Sequence, residues 1–181
     1  IETDIDMLRV FRDLGVRFMQ LTYNTQNLVG SGCWESEDRG LSDYGRDVVD
    51  MMSELGIVAD LSHVGEKTAA DAIAHSKTPI CFTHAVPKGL KDNPRNKSDA
   101  LIKTCVDNGG FFGFATYGSF LPWGDDTTVE NCVEALEYGL DLVGEDALGI
   151  GTDFTQGHDA DFFTWLRSDK GTGRTLITGF P

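Results

Sequence analysis

Short, almost wholly apolar runs alternate along the chain with stretches in which apolar residues recur every three to four positions. The first pattern predicts strands buried on both faces, the second helices with one inward stripe. Residues 3–14 carry Ile5, Leu8, Phe11 and Leu14 at helical spacing, with Asp4 and Asp6 suited to the first turn and Gly15 to the stop. A strand is predicted over 16–21. Ser42 is placed to cap a second helix with Val48, Val49, Met52 and Leu55 inward, closed by Gly56. Strand 57–61, a helix over 66–75 and strand 80–83 follow. Ser98 caps the next helix, which turns Leu101, Ile102, Cys105 and Val106 to one side and ends at Gly109-Gly110. Strand 111–116 comes next. Thr127 and Glu130 have capping-box spacing at the start of a helix with Val129, Cys132, Val133, Leu136 and Leu140 inward. A fifth strand is predicted over 148–151. After Phe154 the periodicity fades, and 155–181 reads as a long loop with at most one helical turn around Phe162–Leu166.

Strands separated by helices predict a parallel α/β sheet, either doubly wound or closed as a barrel. Each predicted strand runs into polar residues at its C-terminal end: Tyr23 and Asn24, Asp60 and His63, Thr83 and His84, Thr116 and Tyr117, Thr152 and Asp153. That distribution suits a barrel rim. The one candidate phosphate loop, Gly149-Ile150-Gly151, lacks a third glycine and precedes an acid rather than a helix start. The expected fold is therefore a partial (β/α)8 TIM-type barrel of about five βα units. With 181 residues against roughly 250 for a full barrel, residues 1–181 are expected to be a single catalytic-domain fragment, its first strands lying upstream of Ile1.

The formal charge of −14 repels phosphate backbones and anionic lipid, which excludes nucleic acid and membrane surfaces as expected partners. Cys33, Cys81, Cys105 and Cys132 lie far apart without a CxxC pair, so free thiols and a reducing compartment are expected. No apolar run approaches the ~20 residues of a transmembrane helix, and no signal peptide opens the chain. Together these features predict a cytoplasmic, bacterial-type protein.

His63 and His84 end successive predicted strands and so become neighbours on one rim. Imidazoles so placed serve either as hydrogen-bonded structural groups or as metal ligands. Two ligands fall short of the three a catalytic zinc normally takes from protein, so more must come from elsewhere. Asp153, at the end of the last strand, is placed as a general acid/base, a further ligand or a loop acceptor. Asp60 is expected to support a histidine rather than ligate. Arg95, in Asp92-Asn93-Pro94-Arg95-Asn96, is either a surface ion-pair partner or a bidentate clamp for a carboxylate. His75 suits a helix C-terminus, and His158 is assigned no role.

Gly15-Val16-Arg17-Phe18-Met19-Gln20-Leu21-Thr22, Gly40-Leu41-Ser42 with Gly45, Asp60-Leu61-Ser62-His63-Val64 and Phe82-Thr83-His84 occur in that order. Pro94-Arg95-Asn96, Asn108-Gly109-Gly110 and Gly149-Ile150-Gly151-Thr152-Asp153-Phe154 complete the series, which resembles the membrane (renal-type) dipeptidase family from about residue 14 to 154. The resemblance implies a barrel metallopeptidase with two zinc ions that hydrolyses dipeptides. It implies His63 and His84 as ligands of one zinc, Arg95 as the contact of the substrate carboxylate, and Asp153 as the acid/base for the leaving amine. The family's remaining ligands, a His-x-Asp pair and a bridging glutamate, have no counterpart here. Tyr23 stands where these enzymes place a histidine that polarises the scissile carbonyl, which changes the donor and bears on substrate range. The resemblance also implies a homodimer. Two rival readings stay open: a metal-dependent hydrolase of other amides, lactones or phosphoesters, and an inactive fragment. The 181 residues alone are expected to hold zinc weakly and to be inactive.

Overall fold

The computed structural model describes residues 1–167. Five strands, β1 (Phe18–Gln20), β2 (Val58–Asp60), β3 (Cys81–Ala85), β4 (Phe111–Phe114) and β5 (Leu148–Ile150), form one sheet. All neighbours are parallel, and the order runs β1-β2-β3-β4-β5 without reversal. A doubly wound sheet reverses its order part-way, whereas a barrel advances by one strand at each step. The arrangement is therefore that of a partial barrel.

Helices α1 (Met7–Asp13), α2 (Asp43–Leu55), α3 (Glu66–His75), α4 (Asp99–Asp107), α5 (Val129–Val143) and α6 (Ala160–Arg167) alternate with the strands. Ser42 and Ser98 cap α2 and α4 as expected, accepting from the backbone N–H of Gly45 and Leu101. Gly56 closes α2 in the left-handed region at φ 64°. The buried faces of α2, α3 and α4 (Val48, Val49 and Met52; Ala69, Ala72 and Ile73; Leu101, Ile102 and Cys105) join Ala59, Phe82, Phe112 and Phe114 of the strands in one core. All four cysteines are free. Among the described residues no helix is long and apolar enough to cross a membrane.

Three local expectations change. Helix α1 begins at Met7, so Asp4 precedes it and Asp6 is an N-cap without a side-chain cap bond. The capping box of α5 uses Thr128 and Asn131, one residue beyond the predicted pair Thr127 and Glu130, because Thr127 donates to the Gly124 carbonyl instead. Around Phe162–Leu166 the chain makes an eight-residue helix rather than one turn. The rest of the predicted loop, from 168 to 181, lies outside the described residues.

Register places the chemistry. Asp60 of β2 pairs with Cys81 of β3, and each histidine lies three residues beyond its member of that pair. Gly151 follows β5 where a Cβ would sit 2.0 Å from the Thr83 carbonyl oxygen, so only glycine lets the β5 end close against β3.

Candidate metal centre

His63, three residues past β2, and His84, next to last in β3, meet with their Nε2 atoms 3.1 Å apart. Asp153, in the left-handed region at φ 60°, brings Oδ1 to 3.8 Å from His84 Nε2. Tyr23 stacks on the His63 ring at 4.3 Å between centroids, with the planes 22° apart. The three groups expected at a common rim are thus together, with Tyr23 beside them.

The other ring nitrogens are held by neighbours. His63 Nδ1 lies 2.7 Å from Asn24 Oδ1, and His84 Nδ1 lies 2.7 Å from Thr83 Oγ1. Thr83 Oγ1 in turn donates to Asp60 Oδ2 at 2.7 Å. Asp60 also accepts from the backbone N–H of Ser62 and of Thr83, from Ser62 Oγ and from Gln20 Nε2. Burial alone would raise the Asp60 carboxyl. The bonds from Ser62 and Thr83 and the nearby His84 outweigh that, holding it below the usual carboxylate range. Asp60 therefore supports His84 through Thr83, the indirect role the sequence suggests.

Hydrogen-bond polarity then fixes both rings. An ionised carboxylate only accepts, so the single Thr83 hydroxyl proton points to Asp60 and Thr83 accepts from His84 Nδ1–H. Asn24 presents its carbonyl oxygen, so His63 Nδ1 also donates. With Nδ1 the donor in each ring, Nε2 is the nitrogen turned toward the other imidazole, and a proton shared between the two Nε2 atoms or a cation before them completes the contact. Two imidazoles oriented through Nδ1 with Nε2 directed to a common point have the donor chemistry of a metal site. Burial, reinforced by the Arg95 charge and opposed by Asp153 and Asp60, holds His84 below the ordinary imidazole value, favouring the neutral form a metal requires. Among the described residues no group of three or more His, Cys, Asp or Glu side chains is arranged to hold a metal ion.

Arg95 is not the surface residue that one reading of the sequence allowed. It is fully buried, with Nη1 donating to the Ser62 carbonyl, Nη2 donating to the His84 carbonyl at 2.8 Å, and the guanidinium 5.3 Å from the Phe120 ring centroid. Burial lowers its pKa. Tyr23 is pushed up to about 12 by burial and the Asp153 charge, so it remains a phenol able to donate. His75 meets Asp50 of α2 at 3.3 Å, and His158 stacks on Phe162, both away from the site.

Sequence reasoning missed the supporting roles of Asn24 and Thr83. Asn24, four residues beyond β1, is buried at φ 65°, a conformation asparagine tolerates better than most residues. Gly32 makes room for it, since a Cβ there would lie 2.1 Å from the Asn24 carbonyl carbon. A separate cavity of about 1140 Å³ opens beside β1, lined by Met19, Leu21 and Met52 among others, and holds none of the site residues.

The family model described as membrane dipeptidase (peptidase family M19) matches residues 1–163. The chain belongs to the membrane dipeptidase family. Among relatives within that family's reach, dipeptidase tcpJ of Claviceps purpurea is 37% identical over 155 residues, covering 82% of this chain and 36% of its own length. A crystal structure described as an amidohydrolase from Pseudomonas aeruginosa superposes with a TM-score of 0.94 at 52% identity, over 98% of this chain and 54% of that one. A metallo peptidase from Rhodobacter sphaeroides, liganded with a phosphinate mimic of the dipeptide L-Ala-D-Ala, gives 0.76 at 28% identity over 82% and 45%. The membrane dipeptidase match thus spans well under half the length of the curated relative and about half of each solved structure.

Proposed function

We propose that this protein is a zinc-dependent dipeptidase with a two-zinc centre, to which this chain brings His63 and His84 as ligands of one ion. The observation that carries the reading is the convergence of the His63 and His84 Nε2 atoms, 3.1 Å apart, with the Asp153 carboxylate beside them. Bound zinc supplies Lewis acidity toward the scissile carbonyl and activates water. Asp153 takes the proton released from the attacking water and returns it to the departing amine. Tyr23, kept protonated, donates from its phenol to the substrate carbonyl. Arg95 holds the C-terminal carboxylate with guanidinium protons not used on Ser62 and His84. A dipeptide substrate, a homodimer and a cytoplasmic location complete the proposal, the last two tested by sedimentation and by cell fractionation.

In the full-length protein, stripping metal with a chelator should abolish dipeptide hydrolysis and returning zinc should restore it. Hydrolysis indifferent to the chelator, or a zinc-replete protein that cleaves no dipeptide, refutes the reading. A rival, hydrolysis of another amide, draws on the amidohydrolase description of the Pseudomonas aeruginosa structure and on the two guanidinium nitrogens already bonded to carbonyls. Dipeptides amidated at the C-terminus separate the two. The dipeptidase should lose affinity for them, whereas equal turnover favours the rival.

A further inference from the structure

Three consecutive carbonyls around His63 are each held by a donor from another part of the chain. Ser62 O accepts from Arg95 Nη1, His63 O from the Cys33 backbone N–H at 3.0 Å, and Val64 O from Lys97 Nζ. Lys97 is fully buried. Its own backbone is fastened two residues beyond His84: Lys97 N–H donates to Val86 O at 3.0 Å, and Lys88 N–H donates to Lys97 O at 2.7 Å. One residue therefore joins the segment that follows His84, through its backbone, to the segment that follows His63, through its ammonium. We propose that Lys97 is a positioning residue that sets the separation and ring orientation of the two imidazoles by tying Val64 O to the Val86–Lys88 strand extension.

A buried ammonium is a costly way to make such a tie. Burial drives the Lys97 amine down to about 8, so an apolar side chain of similar length would relieve that desolvation while leaving the Val64 carbonyl without its donor, two effects of opposite sign on stability. A residue kept for packing alone has no need of the charge. The tie acts on ligand geometry, and removing support of that kind typically costs 10- to 100-fold in metal affinity.

The inference rests on the metal-centre reading above, and its test separates the two. In the full-length protein, Lys97→Met should stay folded, while zinc affinity, read by competition with a chromophoric chelator, falls roughly tenfold or more. Without metal, the imidazole nitrogen NMR signals of His63 should change from one tautomer to an average of two, with those of His75 unchanged. Lys97→Gln, which keeps a donor on a shorter arm, should fall between wild type and Lys97→Met. Zinc affinity within twofold of the wild type together with an unaltered His63 spectrum would overturn the proposal. Collapse of both variants, with the His75 signals lost as well, would make Lys97 a determinant of folding and overturn it equally. A wild type that takes up no zinc ends the metal-centre reading, and the metal-free imidazole spectra still decide the tie.

Discussion

Replacing Asp60 with asparagine tests the polarity of the chain Asp60–Thr83–His84. The oxygen at Oδ1 faces the fixed backbone N–H groups of Ser62 and Thr83, so the asparagine oxygen must stay there and its amide nitrogen must occupy the Oδ2 position. Gln20 can turn its amide to accept from that nitrogen. Thr83, which donated its proton to Oδ2, must now accept, and its hydroxyl proton swings to His84 Nδ1. His84 then carries its proton on Nε2, the atom that faces His63. Restoring a lone pair there means breaking the new Thr83–His84 bond and leaving a buried group unpaired, at about 1–3 kcal/mol. At 1.4 kcal/mol per factor of ten, zinc affinity should fall roughly 10- to 100-fold. Chelator competition at pH 7.5 measures the affinity, and imidazole nitrogen shifts report which nitrogen of His84 bears the proton. An Asp60→Asn variant that keeps its zinc affinity within twofold and its His84 proton on Nδ1 would refute the reasoning.

Asp153→Asn in the full-length enzyme should lower dipeptide turnover by about 10²-fold or more while zinc content stays that of the wild type; unchanged turnover would remove Asp153 from proton transfer. Gly32→Ala, whose Cβ would meet the Asn24 backbone at 2.1 Å, should destabilise the fold by about 1–3 kcal/mol in urea unfolding and weaken zinc binding through His63; a neutral substitution would contradict the close approach. Stability of the metal-free protein should fall as the solution is acidified. The depressed His84 contributes stability that is complete above about 6.5 and declines as pH drops from there toward its folded value. Asp60, also depressed, adds a second loss below about 3.9; Asp60→Asn should remove that lower step and, by taking away the charge that raises His84, carry the upper one to lower pH.

The strands, the main helices and the convergence of His63, His84 and Asp153 were legible because periodicity and strand-end position are local properties. Boundaries were less so. The capping box of α5 moved by one residue because Thr127 found a closer acceptor in Gly124, a competition invisible in spacing alone. The burial of Arg95 and Lys97 was not legible at all. Charged residues in a loop rich in Asp, Asn and Pro read as solvated, yet these two are drawn inward by carbonyls of residues some 30 positions away. The supporting bonds of Asn24 and Thr83 are equally non-local in effect, since they matter only once β1, β2 and β3 lie side by side.

Because both imidazoles stand three residues past the paired Asp60 and Cys81, hydrogen bonding between two strands acts as the ruler of the site. Losing one residue before His84, which lies within β3, would shift its ring by about 3.3 Å and turn it to the other face of the sheet, and a loss between Asp60 and His63 would break the turn closed by Val64 N–H on Leu61 O. Changes in the length of the outer helices would leave that ruler untouched. A one-residue insertion or deletion in Leu61-Ser62 or Phe82-Thr83 should therefore separate the two imidazoles, whereas a change in the length of an outer helix should not.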